Sequence, residues 1–194
     1  SYPTRPVRLI APFPPGGSVD IISRLVGQKL AESLGQQFVV DNRPGAGSNL
    51  GVDIAAKAQS DGYTLVLVSV AFAINPSLYK KLPYDPVKDF VPVALVASAP
   101  NLLVTNPALP VSSVRDLVAL TKRTSGSLNY ASAGVGTPTH LAAELFNSMT
   151  GAGLMHIPYR GGGPAFVDVI SGQVKVMFPG IVSAIGHVKS GRLK

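Results

Sequence analysis

Four glycine-rich turns hold most of the chemistry this sequence can offer. "PPGGSVD" (14–20), "GAGSN" (45–49), "AGVGTPT" (133–139) and "RGGGPA" (160–165) each stand between an apolar run and a helical pattern. Small residues there leave the first turn of a helix open. Its free N–H groups and partial positive charge favour an anion, so a carboxylate or phosphate can be held without a lysine. In the first turn Ser18 reads as the helix cap. Asp20 stands beside it, where the helix dipole favours a carboxylate and where it can also accept a ligand's donor. Thr137 caps the third helix with Pro138 at the favoured first position, and Pro164 lies just inside the fourth. Glycine with a small capping residue is also the ordinary way from strand to helix, so each turn alone has a purely structural reading.

Other constellations are thinner. His140, His156 and His187 are too far apart for a local metal motif, and no acidic pair accompanies them. His140 falls in the first turn of a helix, within reach of a ligand. His156 alternates with Met155 and Ile157 and reads as a packed strand residue. Arg160 can pair bidentately with a carboxylate, although a solvated arginine is the default. "GAGSNLG" has GxGxxxG spacing and follows the second strand, so it is a weak dinucleotide signal. There is no GxxxxGK[ST] phosphate loop and no GxSxG elbow, since Ser132 sits in "YASAG".

The elements that must carry these turns alternate. "VRLIAPF" reads as a buried strand. A helix follows over 19–35, with Ile22, Leu25, Val26, Leu30 and Leu34 at helical spacing and Gly35 as its stop. "QFVVDNRP" is a second strand, "SNLGVDIAAKAQS" a helix capped by Ser48, and "TLVLVS" a third strand. This βαβαβ order with short apolar strands argues for a parallel sheet covered on both faces. Residues 75–112, rich in Pro and Lys and then apolar, read as a passage between two lobes without a long helix. Alternation resumes with helices over 113–124, 138–151, 164–172 and 182–191, and with strands at "LNYAS", "LMHIPY" and "VKVMFPG". Two α/β lobes, 1–100 and 101–194, are the economical description. In such sheets ligands sit beyond the carboxyl ends of the strands, where the glycine turns lie.

Composition narrows the partners. The 194 residues are 46% hydrophobic and 14% charged, enough to bury a core. A formal charge of +7 suits an anionic partner. The basic residues are scattered and Trp is missing, which argues against nucleic acid. No apolar run reaches the roughly 18 residues of a membrane span. The absence of cysteine excludes disulfides, zinc thiolates and thiol nucleophiles. It is compatible with an oxidising compartment and equally with the cytosol. The chain reaches its first strand within a few residues, which leaves a cytosolic protein or one whose leader is already removed.

Five stretches together resemble a known family: "RPVRLIAPFPPGGSVDIISRLV", "VVDNRPGAGSNLGVDIAAKAQSDGYTLVL", "NYASAGVGTPTHLAAELF", "IPYRGGGPAFVDVISGQVKVMF" and "SAIGHVKSGRLK". In this order they are similar to the substrate-binding proteins of tripartite tricarboxylate transporters, the Bug family. The resemblance implies an α/β, two-lobed periplasmic binding protein (type II-like), each lobe a mainly parallel sheet flanked by helices. It implies a periplasmic receptor, its leader removed, that captures a small mono- or dicarboxylate in an interlobe cleft and delivers it to membrane transporter subunits, without catalysis or cofactor. Carried over to this chain, the ligand loop after the first strand is Phe13, Pro15, Gly16, Gly17, Ser18 and Asp20. The opposing loop is Ala133, Gly134, Gly136 and Thr137, with His140 behind it, and the two grip a carboxylate partly through water. Ser69, Ala71, Tyr159, Arg160 and Gly161 line the remaining walls.

Two departures from the family pattern stand out. Where relatives commonly carry Asp after the "MF" strand, this chain has Pro179 and Gly180, which argues against an amino-acid ligand. Relatives also continue for roughly another hundred residues. Both lobes are therefore expected to be incomplete, the C-terminal part missing, and "RLK" to be the first residues of another strand. Surfaces left uncovered would favour self-association. The alternative carried by the glycine turns alone is a nucleotide- or phosphate-using α/β enzyme.

Overall fold

The computed structural model describes residues 2–124 and 127–194. The chain divides into two compact units, Ser1–Ser98 and Ala99–Lys194.

In the first unit β1 (Val7–Ala11) lies between β2 (Phe38–Asn42) and β3 (Thr64–Val66), all parallel. Its central place explains its composition, since Val7, Leu9, Ile10 and Ala11 are all buried. α1 (Ser18–Leu34) crosses from β1 to β2 and ends at Gly35, whose φ of 73° is the left-handed cap expected from sequence. Its packing face is not the leucine stripe. Leu25 and Leu34 are exposed, whereas Ser23 and Gly27 are buried. A Cβ on Gly27 would stand 3.3 Å from the Phe38 carbonyl, so small side chains let the helix lie close on the sheet.

One capping expectation needs correction. α1 begins at Ser18 itself, and its N-cap is Gly17, in extended conformation. Ser48 is the N-cap of α2 (Asn49–Ala56), as expected, but it has a left-handed φ of 86° and its side chain makes no capping bond. A short 3-10 turn, Ala46–Ser48, fills the approach. The "GAGSN" turn is a packing joint. Buried Asn75 donates to Asn49 Oδ1 (2.7 Å) and to the Gly47 carbonyl (3.2 Å), and Tyr84 donates to the same Asn49 oxygen (2.6 Å).

Asn75 belongs to α3 (Ala71–Leu78), an eight-residue helix that runs into the start of the region read as a passage. Pro76 disguises it in the sequence. Beyond it Tyr84 stacks on Phe72 and meets Phe90 edge-on, which anchors the chain without a strand. Residues 91–100 then run exposed.

The second unit carries a four-stranded sheet in the order β4 (Val104–Thr105), β7 (Val176–Met177), β5 (Asn129–Ser132), β6 (Met155–Pro158). β5 is parallel to both its neighbours, and β4 runs antiparallel to β7. Helices α4 (Val114–Arg123), α5 (Pro138–Thr150), α6 (Gly162–Ser171) and α7 (Ile181–Lys189) connect and flank the strands. Two apolar clusters form its core, one around Phe166, Val169 and Met177, the other around Leu117, Tyr130 and Phe178. Lys194 exchanges two backbone hydrogen bonds with Thr105 (2.8 and 3.0 Å), as a residue in an adjacent strand would. Both sheets are dominated by parallel pairs, the α/β architecture expected from the alternation.

Candidate functional site

Each unit assembles part of the expected site at the carboxyl ends of its own strands. In the first unit the loop after β1 runs through Phe13, Pro15, Gly16 and Gly17 into Ser18 and Asp20 of α1. Phe13 and Gly17 are buried and Pro15 and Gly16 exposed, so the loop tip faces outward. Gly16 takes a φ of 86°, a conformation that glycine adopts without strain. Ser69 and Ala71 stand after β3, the strand paired to β1, so the register brings both exits to the same end of the sheet. Ser69 Oγ accepts from the Ala71 amide (3.3 Å) and opens α3.

Asp20 is already engaged. Its carboxylate accepts from the Gly16 amide (3.0 Å), Arg24 Nε (3.0 Å) and Asn42 Nδ2 (2.9 Å). Burial alone would raise its pKa, but the bonds from Arg24, Asn42 and Gly16 outweigh it and hold the carboxyl below the ordinary range. The N-terminus of α1 therefore carries its own anion. Asn42, which also donates to the Phe13 carbonyl (2.9 Å), escaped the sequence reading. Only strand pairing, Ala11 against Asn42, brings it to the loop.

In the second unit the loop after β5 holds Ala133, Gly134, Gly136 and Thr137, and it leads into α5. Thr137 is the N-cap and Pro138 the first helical residue, as expected, but the Thr137 hydroxyl turns back to the Gly134 carbonyl (2.6 Å) instead of capping. The loop amides are largely taken. Ala133 donates to Thr139 Oγ1 (2.8 Å), Gly134 to Ser132 Oγ (3.1 Å) and Gly136 to His140 Nδ1 (3.2 Å). Gly134, at φ 124°, leaves room for the Tyr159 carbonyl, which a Cβ would meet at 3.2 Å.

The exit of β6 supplies Tyr159, Arg160 and Gly161. Tyr159 donates its hydroxyl to Asp168 (2.6 Å), and burial together with that bond pushes its pKa up to about 12. Arg160 is exposed and makes no ion pair among the described residues. Pro179 and Gly180, where the resemblance leads one to expect an acid, serve the fold: the Pro179 carbonyl accepts from Leu102 N (2.8 Å), and Gly180 is the N-cap of α7.

His156 is packed, as its strand position predicts, but it is also bonded. Its Nε2 lies 2.6 Å from Ser132 Oγ, a nucleophile–base spacing. Ser132 is fully buried and already accepts the Gly134 amide, so the pair braces the loop. The His156 ring is stacked between Tyr130 (4.9 Å) and His140 (4.2 Å). Burial first, and then the His140 charge, lowers its pKa.

That depression has a sign. An unfolded imidazole protonates near pH 6.5, whereas folded His156 resists until lower pH, so the unfolded chain binds more protons in that window. The contribution is complete above about pH 6.5 and is lost as pH falls toward the folded value. His187, lowered by burial and by Arg192, acts in the same direction. Urea titrations should therefore show a lower midpoint at about pH 5.5 than at 7.5, with a smaller drop in His156→Gln. An unchanged midpoint would contradict this assignment.

Among the described residues no cluster of three His, Cys, Asp or Glu side chains could hold a metal ion, and no helix is long and apolar enough to cross a membrane.

Comparison with known proteins adds a family to this geometry. The chain is 43% identical to the protein BugT of Bordetella pertussis over 196 residues, matching all of this chain and 60% of that one. Among solved structures it is similar to a Rhodopseudomonas palustris protein with adipate (36% identity, TM-score 0.97, 65% of that chain). It is also similar to MatC of Rhodopseudomonas palustris with bound malate (33%, TM-score 0.90, 66% of that chain). Both matches cover the whole of this chain, which spans about 60% of the length of the curated relatives. Residues 22–194 match the family described as tripartite tricarboxylate transporter family receptor, and to that family, with its periplasmic binding protein fold, this chain belongs.

Proposed function

We propose that this chain is the ligand-contacting part of a periplasmic receptor that captures a small mono- or dicarboxylate and hands it to the membrane subunits of a transporter. The observation that carries the reading is the pair of loops of like construction after β1 and β5. Each has a left-handed glycine followed by an extended N-cap residue that makes no side-chain capping bond. The proposed contacts are Phe13, Pro15, Gly16, Gly17, Ser18, Asp20, Ser69 and Ala71 from one unit. Ala133, Gly134, Gly136, Thr137, His140, Tyr159, Arg160 and Gly161 are those from the other. The relatives solved with adipate and malate support a carboxylate ligand. α5 has no acid in its first turn, so its N-terminus suits an anion better than that of α1, where Asp20 stands. Membership in a receptor family sets aside the nucleotide-using enzyme.

Thermal unfolding with a panel of organic acids tests this. A dicarboxylate at about a hundred times its Kd should add about 2.7 kcal/mol of stability, and ATP and NAD should add nothing. A shift with nucleotides and none across the acids would overturn the reading.

Self-association belongs to the same proposal. Val91, Val93 and Leu95 are 87%, 83% and 89% exposed, and Val87, in the turn before them, is 82% exposed, apolar exposure of the kind that marks association. Sedimentation velocity should show mass rising with concentration, and Val93→Lys with Leu95→Lys should return the chain to monomer. A monomer at every concentration would refute it.

A further inference from the structure

The two candidate loops share a latch but build it from different chemistry. In each, a glycine with left-handed φ (Gly16 at 86°, Gly136 at 78°) precedes an extended N-cap residue, Gly17 or Thr137. The side chain at the third helical position then folds back onto that glycine's amide: Asp20 on Gly16 (3.0 Å), His140 on Gly136 (3.2 Å). A carboxylate remains an acceptor throughout the neutral range, whereas an imidazole nitrogen accepts only while it carries no proton. An amide has only its proton to offer, so His140 Nδ1 is bare and the ring proton sits on Nε2.

The surroundings hold the ring in place. His156 of β6 stacks on His140, Tyr130 of β5 backs His156, and Glu144 of α5 accepts from the Tyr130 hydroxyl. Charge on His140 disfavours charge on His156, and Glu144 favours charge on His156. The Ser132 hydroxyl, next to His156, anchors the Gly134 amide two residues before the latch.

We propose that His140 is a positioning residue: bare at Nδ1 it holds the 133–137 loop closed through the Gly136 amide, and protonation there releases that loop. The second unit's loop is then proton-sensitive, and the first unit's is not. The link to ligand capture rests on the receptor reading above; the latch itself does not.

NMR of the isotopically labelled 194-residue chain from pH 8 to 5 tests it. The His140 ring should carry its proton on Nε2 at pH 8. The Gly136 amide should follow the His140 titration, its protection (the intrinsic exchange rate at each pH over the observed rate) falling about tenfold as the bond is lost. H140D, which copies Asp20, should keep Gly136 protected at both ends of the range, while H140A leaves it unprotected at both. Adipate affinity of the wild type should fall with the same midpoint. If adipate fails to bind at any pH while Gly136 still follows His140, the latch stands and the receptor reading falls. A proton on Nδ1 at pH 8, a Gly136 amide indifferent to His140, or equal exchange in H140D and H140A would overturn the proposal.

Discussion

Phe166→Ala should lower the stability of the second unit by about 3–5 kcal/mol, a large share of the roughly 5–15 kcal/mol a domain possesses. The ring is buried against Val104, Ala131, Val169, Val174, Met177 and Ala184, and it lies 4.9 Å from the His187 imidazole. Residues from three strands and two helices meet there, so the surroundings cannot collapse into the space without shifting the sheet. The lost transfer energy and the cavity add together. The sequence contains no Trp, so tyrosine fluorescence in a urea titration is a suitable probe, with Tyr130 and Tyr159 both in this unit. A loss below about 1 kcal/mol would place Phe166 among ordinary surface positions and contradict its packing.

Gly51→Ala should cost about 1–3 kcal/mol through overpacking, although alanine is the better helix former by about 1 kcal/mol. A Cβ at Gly51 would stand 2.6 Å from the Arg43 carbonyl, 2.7 Å from Pro12 Cβ and 2.8 Å from Pro12 Cα. Two of these atoms are backbone and the third belongs to a rigid ring, so α2 or the loop must move. Pro12 leads directly into Phe13 and the Gly16–Gly17 turn, so the displacement reaches the candidate site. Adipate binding should fall together with the urea midpoint. Unchanged stability would show that α2 does not approach β1 as closely as the geometry has it. Gly35→Ala, a position with nothing within 4 Å of the added carbon, is the control for a left-handed glycine without crowding.

Local chemistry made some elements legible and hid others. α1, α5 and the central strands announce themselves by apolar periodicity, by Gly35 and Gly151 as left-handed stops, and by Pro138 at a helix start. α3 did not, because Pro76 within its eight residues reads as a breaker, and burial of Asn75 and Ala71 overrides that local preference. The apolar spacing of α1 marked the helix without showing which of its residues lie closest to the sheet. Which face of a helix is buried depends on how closely it can approach its sheet, and Ser23 and Gly27 allow the closer approach.

By itself the sequence determined the alternation of strands and helices, the glycine turns at the carboxyl ends of the strands, and the family those turns resemble. Periodicity, capping and turn chemistry are set by neighbours along the chain, and a reader of the chain can see them. Only the tertiary structure decided which polar groups in the turns were already engaged. Asn42 reaches Asp20 because two parallel strands pair in one register, and His156 reaches Ser132 and His140 because β5 and β6 do the same. Those contacts join residues separated by between 16 and 24 positions. Strand pairing and packing bring them together, and nothing in the local pattern encodes it.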